Sequence, residues 1–392
     1  MSNRDDQENY SRHLLRRRWW ARALAYAGLA VVGATMALPL LWMIATSLKA
    51  PGSVVTYPPE FIPREQVTWK SPQGETLPVY TATVEGRREQ VALVRTLPGE
   101  AEVVPVAGTR AGQRLRVPLP GAGLAPVERV RLHPENYPAA WTTLQLQRGW
   151  LNFNLPYQFR VSFLGRSWLL GPWSWAGIPL RNAFLAFYLN TLIVAFAVTL
   201  GTLVTSALAA FAFARLDFPG RNPLFLTYLA TLMVPYVVTM IPIFMLLTAL
   251  HLVDTYFALI VPVMFSAYGT FLLRQFFLAI PHDLEDAARL DGCGNLGVLR
   301  HVILPLSKPA LATLGTFTFL GTWNSFMWPL IVINNPERAP LMLGLYSFMG
   351  EYTAQWQLLM AASVMVMAPV VVVFVLGQRY FIEGIVLSGM KG

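Results

Sequence analysis

One apolar stretch of the sequence combines aromatic, amide and hydroxyl side chains in a way that suits a polar, ring-shaped ligand. Positions 323–328 hold four such residues, Trp323, Asn324, Ser325 and Trp328. An indole ring stacks on the face of a sugar, and amide and hydroxyl groups form hydrogen bonds to its hydroxyls. The four residues are therefore candidates for a substrate pathway. Packing of helices at a subunit seam is the alternative interpretation.

A second stretch, residues 281–305, predicts an exposed helix with defined ends. Its first turn holds three acids, Asp283, Glu285 and Asp286. The positive end of a helix dipole favours acids there, and Ala287 and Ala288 favour helix formation. Gly292 fits the left-handed position that closes a helix. We therefore expect a helix of two to three turns over 283–292, which presents small residues to a docking partner. An ordinary connecting loop is the alternative.

Six long runs without charged residues surround these two stretches. The composition is 55% hydrophobic and only 13% charged, which excludes a disordered chain and disfavours an ordinary soluble enzyme. A helix needs about 20 apolar residues to cross the hydrocarbon core. The fold class predicted is an all-α polytopic membrane protein with six transmembrane helices, near residues 24–47, 184–213, 224–249, 255–278, 309–333 and 355–377.

The distribution of lysine and arginine predicts that both chain termini are cytoplasmic. With the N-terminal segment 1–23 inside, the cytoplasmic segments hold 14 basic residues and the short outer loops hold only Arg338. This is the bias that orients membrane proteins. The remaining basic residues lie in the long segment 50–182, which is expected to lie outside the membrane. Long segments are translocated largely regardless of their charge. The net charge of +9 is thereby explained without nucleic acid.

The segment 50–182 differs in composition from the apolar runs on either side of it. Within it, residues 57–133 predict a small β-rich domain outside the membrane, with Thr76–Val84 and Gln90–Val94 as a hairpin. A loosely ordered loop rich in proline and glycine is the alternative. The remainder, 184–392, is expected to be a five-helix core that includes a cytoplasmic loop at 279–309.

The sequence offers little for enzymatic chemistry. Its single cysteine, Cys293, excludes an intramolecular disulfide and a cysteine zinc cluster. It contains no glycine-rich phosphate loop of the Walker type. We therefore expect no catalytic residue, no metal site and no cofactor.

The loop between the fourth and fifth predicted spans resembles the signature of permease subunits of bacterial ABC importers. The matching residues keep the spacing of that signature: Asp286, Ala287, Ala288, Gly292, Val302, Leu304 and Pro305. Two of them depart from it conservatively, Asp286 for glutamate and Val302 for isoleucine. Residues 20–50 and 180–392 further resemble the carbohydrate branch of this family, in particular the permeases of maltose importers. The segment 57–133 has no counterpart in the resemblance.

The resemblance implies a role for this loop and a set of partners. The helix 283–292, with Glu285 and Asp291 in its motif, would fit a groove on a cytoplasmic ATPase dimer that hydrolyses ATP for the transporter. A second permease subunit would complete a heterodimer, and an extracytoplasmic solute-binding protein would deliver a sugar or oligosaccharide. The location implied is the inner membrane of a bacterial or archaeal cell, surrounded by lipid.

Two other classes of membrane protein fit the sequence less well than an importer subunit. Secondary transporters often show internal repeats and ionisable residues at mid-membrane, whereas the predicted spans are uncharged and no repeat is detected. A membrane-bound enzyme with its site in 57–133 would need convergent catalytic side chains. That segment has no aspartate and one histidine, His133. An ion-coupled secondary transporter remains the alternative function.

Overall fold

The three-dimensional structure is a computed structural model. It describes residues 2–51, 53–54, 60–71, 74–84, 87–107, 112–119, 123–144, 153–155, 159–163, 166–170, 173–175, 182–351 and 355–389. The chain divides into two compact units, residues 1–137 with 354–364, and residues 138–353 with 365–392. Each unit has its own core.

The first unit begins with the long helix α1 (Ser2–Ser47), which contains the first predicted span. Its part Trp19–Ser47 is long and apolar enough to cross a membrane. Beyond the helix end, Asn136 donates from Nδ2 to the carbonyl oxygens of Ser47 and Lys49, at 2.8 and 2.9 Å. The Lys49 ammonium lies 4.5 Å from the centre of the Trp42 ring. Burial lowers the pKa of Lys49, and Glu60 opposes this effect.

The same unit contains the β-rich segment that the sequence predicted. Its strands are β1 (Arg64–Gln66), β2 (Thr68–Lys70), β3 (Thr76–Val84), β4 (Arg87–Leu97), β5 (Glu100–Pro105), β6 (Leu115–Pro118), β7 (Ala125–Pro126) and β8 (Glu128–Val130). Strands β2 to β6 pair antiparallel in chain order, β7 pairs with β3, and β1 pairs with β8. The predicted hairpin is confirmed with Val79 opposite Ala92, while its turn at 85–86 lies outside the described residues.

Small β-branched and alanine side chains form the core of this sheet. Ala82 and Val84 of β3 pack with Val91 of β4 and Val103 of β5, all of them buried. Ala82 and Val84 are two residues apart and thus lie on the same face of β3, as expected where one face of a strand is buried. The packed core therefore favours a folded β domain over the loosely ordered loop.

The second unit is predominantly helical. It starts within α2 (Asn136–Thr143) and continues through four short strands, β9 (Phe153–Leu155), β10 (Phe159–Phe163), β11 (Arg166–Leu170) and β12 (Trp173–Trp175). Its helices are α3 (Ala183–Arg215), α4 (Arg221–Ala230), α5 (Tyr236–Ala249), α6 (Tyr256–Ile260), α7 (Ala267–Leu278), α8 (Asp283–Leu290), α9 (Asn295–Val298), α10 (Leu304–Leu306), α11 (Lys308–Trp323), α12 (Met327–Val332), α13 (Leu341–Glu351) and α14 (Trp356–Gly389), whose first residues belong to the other unit.

Helix lengths agree with some predicted spans and not with others. In the described part of the chain, three helices alone are long and apolar enough to cross a membrane, and two bent pairs raise the number to five. Helix α3 matches the predicted span 184–213. The predicted span 224–249 instead bends by 100° between α4 and α5, next to Pro235. Such a break follows from the missing amide hydrogen of proline.

Two further predicted spans are interrupted in the structure. The span 255–278 consists of α6 and α7, separated at residues 261–266, a stretch that includes Pro262. The span 309–333 consists of α11 and α12, separated at residues 324–326. An uncharged run shows only that a segment tolerates hydrocarbon, and it carries no information on whether the helix is continuous.

The core of the second unit lies where α3, α7 and α11 pack closely. Ala210 of α3, Leu273 of α7 and Leu314 of α11 are all buried there. Gly269 of α7 allows the close approach, since a Cβ atom at this position would lie 2.6 Å from Ser206 Oγ. Helix α3 is the long element of this core, and both ends of it contribute to the candidate site.

Candidate functional site

The predicted loop helix exists and ends as its sequence indicated. Helix α8 covers Asp283–Leu290, with the three acids in its first turn. Gly292 has a φ of +86°, the left-handed conformation that closes the helix. A second helical segment follows from Asn295 and becomes a π-helix over Leu299–Ile303.

Helix α8 turns one face to the protein and the other to its surroundings. Glu285 is only 4% exposed, and Ala288 packs against the core. On the opposite face, Leu290 is 90% exposed, and Leu284 and Ala287 are exposed as well. Exposed apolar residues that lie together, rather than singly, are typical of a surface that meets another protein.

A buried ion pair joins α8 to the end of α3. The Nε atom of Arg215, the last residue of α3, lies 2.7 Å from Glu285 Oε1. The Arg215 side chain is fully buried and that of Glu285 is 5% exposed. The two atoms form a charge contact that is bent away from a linear hydrogen bond. Because removing one partner would leave the other charge buried, the two residues stabilise each other.

The other nitrogen atoms of the Arg215 guanidinium form hydrogen bonds at the C-terminal end of α7 and with His282. Its Nη2 donates to the carbonyl oxygens of Phe277 and Ile280, both at 2.6 Å. Phe277 lies in the last turn of α7 and Ile280 two residues beyond its end, where carbonyl groups lack the amide partner that a continuing helix would supply. Nη1 lies 2.8 Å from His282 Nε2, and because arginine has only donors, that ring nitrogen accepts. One side chain therefore holds α3, α7 and the start of α8 together.

The second half of the predicted motif lies on the helical segment that leads into α11. Val302 and Leu304 are half-buried, with Leu304 against the core, and Pro305 is exposed. Of the first half, Asp286, Asp291 and Gly292 are exposed. The segment Asn295–Leu306 meets α11 at an angle of 80°. The structure thus brings both halves of the motif onto one loop that is anchored through Glu285 and Leu304.

A cavity of about 310 Å³ lies among the helices of the second unit. Thr191 and Val194 of α3 contribute to its wall, together with Tyr236, Val263, Ser325 and Trp328. Three of these residues border the helix interruptions described above: Tyr236 follows Pro235, Val263 lies in 261–266, and Ser325 lies in 324–326. Irregular backbone at membrane depth is tolerated where it is buried in protein or lines a cavity, and this cavity meets all three interruptions.

The four candidate pathway residues fall into two groups. Ser325 and Trp328 line the cavity, and the Trp328 indole N–H donates to the carbonyl of Ala258 at 3.0 Å. Trp323 is 1% exposed, donates to the carbonyl of Val366, and stacks on Phe319 outside the cavity lining. Asn324 is exposed and donates to the carbonyl of Leu320. The contacts of Trp323 and Asn324 are thus those of helix packing and helix termination.

Two features of the site have no counterpart in the sequence-based candidates. Arg215 was counted only as a cytoplasmic charge, although it follows 33 uncharged residues and thus marks the end of a buried helix. Thr318 and Thr322 of the cavity wall were not singled out either. Their spacing of four residues places them on one face of α11. Among the described residues, no group of three histidine, cysteine or acidic side chains could hold a metal ion.

Comparison with known proteins identifies the class of this chain. Residues 201–386 match the family described as "Binding-protein-dependent transport system inner membrane component". The chain is similar to the arabinooligosaccharides transport system permease protein AraQ of Bacillus subtilis (strain 168), with 37% identity over 54% of this chain and 75% of AraQ. It is also similar to the sn-glycerol-3-phosphate transport system permease protein UgpE of Salmonella typhimurium, with 39% identity over 54% of this chain and 76% of UgpE.

Among solved structures, a bacterial ABC transporter involved in the import of the acidic polysaccharide alginate aligns with 51% of this chain and 75% of its own. The identity is 27% and the TM-score 0.47. The family match includes the loop with α8 and the cavity-lining residues from Tyr236 onward. The relatives favour a subunit of an importer over an ion-coupled secondary transporter. The chain belongs to the family of inner membrane components of binding-protein-dependent transport systems.

Proposed function

We propose that this chain forms half of the translocation pathway of an ABC importer and receives the movement of a cytoplasmic ATPase through α8. The observation that carries the proposal is the buried contact of Arg215 with Glu285. It connects an exposed docking helix to a long helix that lines a cavity. ATP hydrolysis is assigned to separate ATPase subunits.

Helix α3 provides the mechanical connection between the two parts of the site. Val194 lies at the cavity and Arg215 at the opposite end of the helix, 21 residues away. At 1.5 Å per residue this separation is about 32 Å, close to the thickness of the hydrocarbon core. A continuous helix of this length transmits a displacement of its end with little bending. A shift of α8 would therefore move the cavity wall.

The exposed face of α8 is the proposed contact with the ATPase. Leu284 and Leu290 are exposed on it, and Leu296 on the following helix is 72% exposed. Three apolar side chains on one loop provide area that is stabilised by burial in a partner. The acids Asp283 and Asp286 flank them and add charge to the rim. Asp291, Gly292, Val302 and Pro305 complete the coupling motif.

The membrane topology proposed is six spans with both termini in the cytoplasm. The interrupted pair α6–α7 is assigned as the fourth span, and the pair α11–α12 as the fifth. The distribution of basic residues supports the orientation, because Arg215, Arg221 and Arg274 lie at the same side as α8. Interruptions within spans suit a transporter, since the broken segments border the cavity.

The proposed cargo is a sugar or oligosaccharide, and this assignment rests on the relatives and on the cavity wall. AraQ is named for arabinooligosaccharides and UgpE for sn-glycerol-3-phosphate. Ser325 and Trp328 line the cavity with a hydroxyl group and an aromatic ring. The partners proposed are a second permease subunit, a pair of ATPase subunits and an extracytoplasmic solute-binding protein.

The β domain of residues 64–130 is proposed to contact the solute-binding protein or the second permease on the outer side. Its position between the first two spans supports that location. Deletion of residues 60–130 should then reduce uptake, with membrane insertion of the remaining spans retained. Unchanged uptake by the deletion variant would remove this role.

Site-directed crosslinking tests the docking role of α8. The single cysteine is first replaced (Cys293→Ser), and Ala287→Cys is introduced on the exposed face of α8. A thiol-reactive photocrosslinker on this cysteine should capture the ATPase subunit in intact cells. The matched control is Asn334→Cys, which is exposed at the other end of the helical unit. Equal capture by both variants, or none by the α8 variant, would contradict the docking role.

A further inference from the structure

The cavity wall has a uniform chemical character. Twelve residues of the part of the chain that the structure describes line it, and none of these has a side chain that is charged at neutral pH. Five of them carry a hydroxyl group: Thr191, Tyr236, Thr318, Thr322 and Ser325. The remaining lining is apolar, with Trp328 as its largest member. Such a wall offers hydrogen bonds and ring contacts, and it offers no charge.

Three of the hydroxyl groups are available to a ligand. Thr191 is engaged, because its Oγ1 donates to the carbonyl of Phe187 and accepts from the amide of Leu341. Thr322 donates to the carbonyl of Thr318. In the described part of the chain, the hydroxyls of Tyr236, Thr318 and Ser325 have no hydrogen-bond partner. Each of them can both donate and accept, which matches the hydroxyl groups of a sugar.

The charged residue that lies nearest in sequence to a lining residue already forms an ion pair. Arg338 lies two residues before the lining residue Pro340, and its Nη1 is 3.1 Å from Asp254 Oδ2. A phosphate or carboxylate in the cavity would lose its hydration without gaining a cation from this subunit. Desolvation of an unpaired anion costs several kcal/mol or more. A neutral ligand avoids that cost.

We propose that this cavity accepts an uncharged, hydroxyl-rich ligand, namely neutral sugar units, and excludes sugars that carry phosphate or carboxylate groups. The proposal rests on the cavity being the pathway and goes further by naming the class of ligand. The observation that carries it is that the described wall, which includes Thr318, Thr322 and Ser325, contains hydroxyl groups and no cationic side chain.

Protection of an engineered cysteine tests this selectivity without relying on the binding protein. Ser325→Cys is introduced into the Cys293→Ser background, and the complex with partner permease and ATPase is reconstituted in vesicles. Maleimide labelling is followed with arabinotriose or maltotriose as neutral probes, and with trigalacturonate or glycerol 3-phosphate as anionic probes. The matched control is Thr316→Cys, on the same helix but outside the cavity lining.

A neutral probe at about four times its Kd is expected to slow labelling at position 325 about fivefold, because the bound ligand shields the thiol in proportion to its occupancy. The anionic probes should leave it unchanged, and no probe should protect position 316. Equal or stronger protection by an anionic probe would overturn the neutral selectivity while the pathway itself stands. Protection by no probe, in vesicles that import one of the trisaccharides once the solute-binding protein is added, would overturn the pathway and this proposal with it.

A charge placed in the wall gives a second readout. Thr322→Lys supplies the cation that the cavity otherwise lacks. When Thr322→Lys is combined with Ser325→Cys, we expect trigalacturonate to slow maleimide labelling at position 325. The neutral trisaccharides should no longer slow it. Unchanged protection by the neutral probes would show that they bind elsewhere, against the proposal.

Discussion

Two arginine–carboxylate pairs hold the two ends of the helical unit, and they differ in burial. At one end, Arg215 and Glu285 are 0% and 5% exposed and lie beneath α8. At the other end, Arg338 and Asp254 are 14% and 27% exposed and join the loops after α12 and α5. Each arginine also donates to a backbone carbonyl. The same type of ion pair thus lies at both ends of the helical unit, buried at one end and partly hydrated at the other.

The difference in burial indicates different mechanical demands. A buried pair has no water to replace a lost partner, so separation of Arg215 from Glu285 is costly. The buried pair therefore favours joint movement of α8 and α3, which the proposed coupling role requires. The Asp254 pair is partly hydrated, so its separation costs less. Its loops can therefore rearrange at that end of the helical unit with a smaller loss of stability.

The largest effect is expected for Arg215→Ala. This change leaves Glu285 buried without its cation and removes the donors for the carbonyls of Phe277 and Ile280. Loss of one partner from a buried pair costs about 3–5 kcal/mol. Thermal unfolding of the purified complex in detergent should shift strongly downward, and uptake should be lost. A melting temperature equal to that of the unmodified chain would contradict the anchoring role of Arg215.

Glu285→Ala is expected to have a smaller effect. Arg215 keeps its two carbonyl partners, so the loss is closer to that of a single charged contact, about 1.5–3 kcal/mol. The matched control is Asp286→Ala, which removes the adjacent acid on the exposed side of the same helix. The control should unfold at nearly the normal temperature. If both variants lose equal stability, the burial of Glu285 is not the cause.

Gly292→Pro is expected to disrupt coupling with only a local loss of stability. Proline cannot adopt the φ of +86° found here, and forcing an unfavourable backbone conformation costs on the order of 1–3 kcal/mol. Substrate-stimulated ATP hydrolysis should disappear, with normal insertion of the chain in the membrane. Ala288→Asp, which places a charge against the core, is expected to give the same result.

Gly294→Pro provides the control for this change. Gly294 has a φ of −76°, which proline adopts readily. Its variant should retain most of the coupled ATP hydrolysis. Comparable loss in both proline variants would show that the loop tolerates no proline at all, and the left-handed end of α8 would then not be the explanation.

The smallest effect is expected for Asp254→Asn at the outer pair. An asparagine retains one oxygen, which can accept from the amides of Asn334 and Asn335 as Asp254 Oδ1 does. Only the charge contact with Arg338 is lost, worth about 1 kcal/mol for a partly exposed pair. Thermal unfolding should shift by a few degrees at most, and the shift should shrink in high salt. A loss as large as that of Glu285→Ala would erase the difference between the two ends.

Sequence reasoning was most successful where a property is local. The predicted span 184–213 lies within α3, the strand Thr76–Val84 has its predicted bounds, and Gly292 has the predicted conformation. Each of these depends on residues within one element. The continuity of the spans was not predictable in the same way. Prolines 235 and 262 were visible in the sequence, but proline also occurs within continuous helices here, as at Pro369 of α14.

In the candidate site too, local features could be predicted from the sequence, whereas contacts between distant residues could not. The loop motif was recognised from its spacing, and the structure places it on a single loop. The separation of Trp323 from Trp328 was not recognisable, because both lie in one apolar run and differ only in which neighbours they meet. The partner of Glu285 was also missed, since Arg215 lies 70 residues earlier in the chain.

By itself, the sequence determined that this chain has long apolar helices of a membrane permease, and it predicted how the termini face and where a coupling loop would lie. These properties follow from transfer free energies and backbone preferences that each residue contributes almost independently. Only the tertiary structure decided that Arg215 meets Glu285 and that three helix interruptions border one cavity. Such contacts join residues far apart in the chain, and packing of the whole helical unit selects them.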